Sequence, residues 1–213
     1  MEKSISVTGN DVAARIAAAT VAGREASYSD EVRRLLDAGR DAMRERGTGS
    51  KPRVADIVAA AGLSNDAFYR HFASKDRLVA AILEDGTERL RSYLAHQMSK
   101  AATPQDAVAR WVDGVLAQAA DPDIAATTLA VLWNGGGAAI DTATRPSASA
   151  PLGTLLHEPF AELGSSDPEL DASLVAHAVV GLLSDLLWAG ERPTPAVKRR
   201  IVAFCLGAVT PSA

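Results

Sequence analysis

Gly62 separates two short helical patterns, and this junction constrains the fold more than any other feature of the chain. Ahead of it, Val54, Ile57, Val58 and Ala61 share one side of a helix that Pro52 opens at a first-turn position and Gly62 ends. Behind it, Ser64 is placed to cap a short helix whose one large inward residue in the middle is Phe68, with Leu63 and Phe72 at its two ends. Glycine supplies the left-handed turn residue that lets two short helices pack at a steep angle. The pattern predicts a helix-turn-helix, a motif whose second helix enters the major groove of DNA.

Helical periodicity continues through nearly every other segment, and no run alternates as a strand would. A first helix begins near Ser29 and ends near Gly47, with Val32, Leu35, Leu36, Gly39 and Met43 on its inner face. Ser74 caps a long fourth helix that carries Leu78, Val79, Ile82, Leu83, Leu90, Tyr93 and Leu94. Further helices start at Pro104 and Pro122, the latter interrupted by Gly135, Gly136 and Gly137. "RPSASAPLG", Arg145 to Gly153, reads as a loop, and helices follow near Leu155 to Leu163, from about Pro168 to Trp188 and from about Pro195 to Val209. The fold class is all-α. Its expected divisions are an N-terminal arm over 1–27, partly helical, a helix-turn-helix domain over 28–96 and a second helical domain over 97–213.

Composition excludes several alternatives. With 47% hydrophobic and 23% charged residues over 213 positions, the chain reads as soluble and globular. Asp11 and Arg15 interrupt the early apolar run, and Arg24 and Glu25 stand where an export signal would be cleaved. No stretch approaches the roughly 18 uninterrupted apolar residues of a membrane span, so no membrane partner is expected. The single cysteine, Cys205, forms no internal disulfide and fits a reducing cytoplasm; no metal cluster can be built from it, and no cofactor is implied. The net charge of −4 divides as 0 over 1–27, +1 over 28–96 and −5 over 97–213. Affinity for phosphate therefore depends on individually placed cations.

On a helical wheel with Phe68 inward, Asp66, Tyr69 and Arg70 lie on the opposite face and Ala67 to one side. The stretch "RVADIVAAAGLSNDAFYRHFASKDRL", Arg53 to Leu78, resembles the DNA-binding domain of the tetracycline-repressor (TetR) family of bacterial transcriptional regulators in the order and spacing of its glycine, serine, Phe-Tyr, His-Phe and Ser-Lys-Asp. The resemblance implies that Tyr69 bonds a phosphate through its hydroxyl, and that Lys75 does so with the N–H groups opening the fourth helix. It also implies that Asn65, Asp66, Ala67 and Arg70 face bases, with Ser64 beside them. Arginine suits guanine, asparagine adenine and aspartate cytosine N4. Asp66 has an equal alternative in favouring its helix N-terminus. His71, nearer the Phe68 side, is either a packed, hydrogen-bonded residue or a phosphate ligand. Where the family often has a threonine cap, this chain has Arg53, and Lys51 or Arg53 is expected on phosphate.

Helix-turn-helix proteins commonly pair two reading heads on one palindromic operator, so a dimer surface is expected. The resemblance places it on the last two helices, here Leu174, Val175, Val179, Leu182, Leu183, Leu186, Ile201, Phe204 and Cys205; an intrachain core is the alternative. It further implies an effector cavity among the middle helices, with Trp111, Val115, Trp133, Asn134, His157, Phe160, His177 and Trp188 as candidate lining, although aromatics at helical spacing are more often core. Function is then that of a homodimeric repressor released from its operator by a small molecule. The alternative is a dimeric DNA binder governed by a protein partner or by abundance. An enzyme is disfavoured: His177 and Asp185 lie two turns apart, no nucleophile elbow is present, and the glycine triplet lacks the lysine and hydroxyl of a phosphate loop.

Overall fold

The structure, a computed structural model, describes residues 9–135 and 148–209. Gly136, Gly137 and the first part of the expected loop at Arg145 lie outside the described residues, as do the first eight positions of the arm. The described residues form helices α1 (Gly9–Arg46), α2 (Val54–Ala61), α3 (Asn65–His71), α4 (Lys75–Met98), α5 (Pro104–Ala120), α6 (Pro122–Gly135), α7 (Ser149–Gly153), α8 (His157–Glu162), α9 (Pro168–Ala189) and α10 (Pro195–Gly207), with a single 3₁₀ turn at Thr154–Leu156 joining α7 to α8. No β-strand element occurs among them, in line with the all-α reading.

Local signals set most of these boundaries. The hydroxyls of Ser64, Ser74, Thr103 and Thr194 each accept the backbone N–H three residues on, capping α3, α4, α5 and α10. Proline occupies the first turn of α5, α9 and α10, where its missing N–H loses nothing. Two boundaries differ from expectation. Ser29 opens no helix, because α1 runs unbroken from Gly9 for 38 residues; the alanine-rich stretch ahead of Ser29 has high helix propensity and only Gly23 to oppose it. Likewise the expected loop turns helical from Ser149, where α7 docks on α9.

Two hydrophobic cores result. The first joins Leu35 and Met43 of α1, Ile57, Val58 and Ala61 of α2, Phe68, Phe72, and Leu78, Val79 and Ile82 of α4. Ala130 and Val131 of α6 complete it. Gly39 lets α1 and α4 approach closely, since a Cβ there would stand 2.9 Å from Ile82 Cδ1. The second core gathers Leu94, most of the inner face of α5, Leu152, Leu156, Phe160, and the inner faces of α9 and α10. Trp111 lies at its centre, fully buried, with Nε1 donating to the Leu152 carbonyl at 2.9 Å. By length and composition α9 alone among the described helices is apolar enough to cross a membrane. Part of that apolar surface faces this core, through Val175, Val179, Leu183 and Leu187.

Candidate nucleic-acid interface

The reading head is built around the turn between α2 and α3. Gly62 takes φ 63° and ψ 37°, and its N–H and that of Leu63 bond the Ala59 and Val58 carbonyls at 3.2 and 2.9 Å. Arg34 reaches over from α1 and donates through Nη2 to the carbonyls of Ala61 and Gly62, the latter at 3.0 Å. Gly62→Ala forces an L-residue into the left-handed region and sets a Cβ 2.9 Å from that guanidinium. It is expected to destabilise the protein by about 1–2 kcal/mol. Urea unfolding measures this, and an unmoved midpoint would refute the requirement for glycine.

Phe68 and Phe72 hold α3 to the body, which leaves its far side in solvent. Tyr69 is 59% exposed, and Asn65, Asp66 and Arg70 stand on the same open side. Ser64 Oγ accepts from the Ala67 N–H at 3.1 Å while the residue itself stays exposed. Ala67, expected to face a base, is placed otherwise, and of the two alternatives for His71 the packed, hydrogen-bonded one holds. Ala67 is buried, since its position one turn from Gly62 and adjacent to Phe68 turns its methyl toward the body. The His71 side chain is wholly buried, edge-on to Tyr28 at 4.2 Å between ring centroids, with Nε2 bonded to Glu31 Oε2 at 2.6 Å.

The same Glu31 oxygen accepts from Arg70 Nη2 at 2.7 Å. Hydrogen bonds from His71 and then Arg70 hold the Glu31 carboxyl below its ordinary range. Cations on the flank of the head are partnered too. Lys75 Nζ donates to the Pro52 carbonyl at 3.3 Å. Arg53, well exposed, forks onto Asp56 at 3.4 Å, and Arg46 meets the same carboxylate at 2.8 Å. That pairing, with the Arg53 side chain first among its causes, lowers the Asp56 pKa. Asp56 also accepts the Arg53 N–H at 3.3 Å, so α2 has the carboxylate half of a capping box in place of the threonine cap. Lys51 sits over the ring of Trp133 at 5.6 Å.

A cavity of about 380 Å³ lies where the head meets the second core. Its walls are Arg40 of α1, Ile82, Leu83 and Leu90 of α4, Gln118 of α5, Thr128 and Val131 of α6, and Val180 and Ser184 of α9, among others. None of the expected lining residues is on that wall. Trp111, Val115 and Phe160 are spent in the second core, and Asn134 is buried with Nδ2 donating to the Ala130 carbonyl at 2.8 Å. Trp133 faces Lys51, His157 opens α8, His177 bonds the Ser173 carbonyl through Nδ1 at 2.7 Å, and Trp188 stands in solvent. Trp111 and Phe160 went to close packing, and the space was left between aliphatic and small polar residues.

The residues proposed for dimerisation divide in two. Val175, Val179, Leu183, Ile201 and Cys205 are buried in their own chain, and burial pushes the Cys205 thiol up to about 11. Leu174 and Phe204 are 60% and 56% exposed, with Leu182 and Leu186 half-buried between.

The arrangement defines a helix-turn-helix DNA-binding protein with an all-helical second domain. Residues 35–82 match the profile of the bacterial regulatory proteins of the tetR family. No curated protein matches the chain. Among solved structures, a TetR-family transcriptional regulator from Pectobacterium atrosepticum is similar over 86% of this chain and 92% of its own, at 24% identity and a TM-score of 0.57. RolR in complex with resorcinol covers 89% and 92% at 18% identity and a TM-score of 0.60. The fatty acid degradation regulator FadR from Bacillus halodurans covers 83% and 98% at 17% identity and a TM-score of 0.58. Residues 35–82 thus match that family's DNA-binding domain, and the chain has the fold of these solved structures.

Proposed function

We propose that the protein is a homodimeric repressor that leaves a palindromic operator when a small molecule fills the cavity at the junction of its two cores. The observation that carries this reading is the composition of the cavity wall: Arg40, Ile82 and Leu83 belong to the helices that also form the head's core, and Val131 belongs to both wall and core. A ligand that prefers a different packing of these helices shifts the population of head positions and so weakens binding to DNA. The exposed Leu174 and Phe204 supply an apolar face for a second subunit.

The wall also favours a class of ligand. It is mostly apolar, and the side chains of Gln118, Thr128 and Ser184 converge on it with no hydrogen-bond partner among the described residues. Its charged member, Arg40, is already engaged by Asp37 and Asp85. Such a site suits an uncharged, largely apolar molecule with one or two hydroxyl or carbonyl groups. The resorcinol held by RolR is of this kind.

Matched pairs test the reading: resorcinol, 2-naphthol against 2-naphthoate, and 1-octanol against octanoate, by thermal unfolding and by release of a fluorescent duplex. A neutral probe at 100 times its dissociation constant should stabilise the native state by about 2.7 kcal/mol, a rise in Tm of roughly 5–10 °C for a chain of this size. The same probe should lower affinity for DNA. Stabilisation by the carboxylates and not the neutral partners would overturn the ligand class; stabilisation with unchanged DNA affinity would overturn release. A flat response to broad metabolite mixtures favours control by a protein partner or by abundance.

A further inference from the structure

Glu31 lies on α1, 39 residues before Arg70 in sequence, yet one of its carboxylate oxygens receives both Arg70 Nη2 and His71 Nε2. We propose that Glu31 is a specificity-determining residue, a buttress that fixes the Arg70 guanidinium for a base edge and keeps it from acting as a free cation toward phosphate. The inference rests on the reading in which Arg70 faces a base.

Three observations carry it. The first is rigidity. Four residues beyond Glu31 on the same helix, Leu35 is fully buried in the first core, and the wholly buried His71 ring, edge-on to Tyr28, bonds the same carboxylate oxygen that receives Arg70. A carboxylate on an anchored helix and bonded by a buried ring is a fixed point, whereas a solvent-exposed arginine ordinarily loses much rotamer freedom on binding. The second is geometry. One Nη2 proton is taken by Glu31, and Nη1 and Nε have no partner among the described residues. Of five N–H donors, four remain for a bidentate contact such as that to guanine O6 and N7. The third is charge. Beside Glu31 the guanidinium belongs to a nearly neutral pair, which is poorly suited to a phosphate but well suited to the uncharged acceptors of a base. A carboxylate near DNA, unfavourable for affinity as such, is then explained by selectivity.

The experiment selects bound sequences from a random duplex pool with the wild-type chain, Arg70→Ala and Glu31→Gln, and measures each variant's affinity against salt. Arg70→Ala should erase the preference at one base pair of each half-site. Glu31→Gln should weaken the preference at that same base pair by about 5- to 10-fold and leave the others in place. It should also bind unselected DNA more tightly at low salt, with the salt slope steeper by about one per head. If Glu31→Gln folds poorly, Glu31→Asp takes its place: it keeps the charge but withdraws the carboxylate by one methylene, and should lose part of the preference at the same base pair only. Erasure by Arg70→Ala together with an unchanged Glu31→Gln or Glu31→Asp pattern would overturn the buttress while base reading stands. A uniform loss of affinity at every position, without a change of salt slope, would reduce Glu31 to a structural role. No change in pattern with Arg70→Ala would remove base reading itself, and the buttress with it.

Discussion

Replacing Phe68 with alanine should destabilise the protein by about 3–5 kcal/mol and abolish sequence-specific DNA binding. The ring is fully buried and contacts Phe72 and Tyr69 at centroid separations of 5.9 and 5.2 Å. Truncation removes its transfer free energy and leaves a cavity that the surrounding helices fill only in part. For a domain whose total stability is about 5–15 kcal/mol, that is a large share. The functional loss has a more specific cause. Besides the small Ala67 and the His71 ring at its last position, α3 buries only Phe68, so without that ring nothing large holds the middle of the helix to the body. Urea unfolding gives the first quantity and a duplex titration, at a temperature where the variant is still folded, gives the second. A loss below about 1 kcal/mol with binding intact would show that α3 is positioned by something other than its phenylalanine.

If the proposed pairing uses the exposed face of α9 and α10, the paired substitution Leu174→Glu with Phe204→Glu should convert the dimer to a monomer and weaken operator binding by roughly 100-fold or more, because two linked heads gain an effective concentration that one head lacks. Both side chains project from the protein's surface, so the subunit's own stability should change by about 0.5 kcal/mol or less. The equivalent changes at Val179 or Ile201 would confuse the result, since those residues are buried in their own chain. Sedimentation at micromolar concentration gives the mass, and titration of a one-half-site duplex against a two-half-site duplex gives the linkage. A wild-type monomer, or a dimer that survives the double substitution, defeats pairing through this face.

Features that depend on neighbouring residues were legible in the sequence. Serine and threonine caps, first-turn prolines and the glycine of the turn act within a few positions, and the inward period of Leu35, Ile57, Phe68 and Leu78 matches the first core. What escaped was non-local or lacked a distinctive residue type. Nothing near Arg70 or His71 announces Glu31, which only the fold brings within hydrogen-bond reach. Ser29 carries a helix-starting signal, yet the alanines before it are helical by propensity and override it. The cavity lies not at the tryptophans, Phe160 and the polar residues among them but among leucines, valines and small polar residues that read individually as ordinary helix faces. Its walls come from six helices whose mutual distances no local pattern encodes.

The position of Ala130 and Val131 in the head's core carries a lesson for recombining such proteins. A graft cut after α4 would transplant a head with one wall missing, its Ile82 and Val79 side opened to water. Exchange of DNA specificity between related regulators should succeed when α6 travels with the head, or when the recipient already offers small aliphatic residues at those two places.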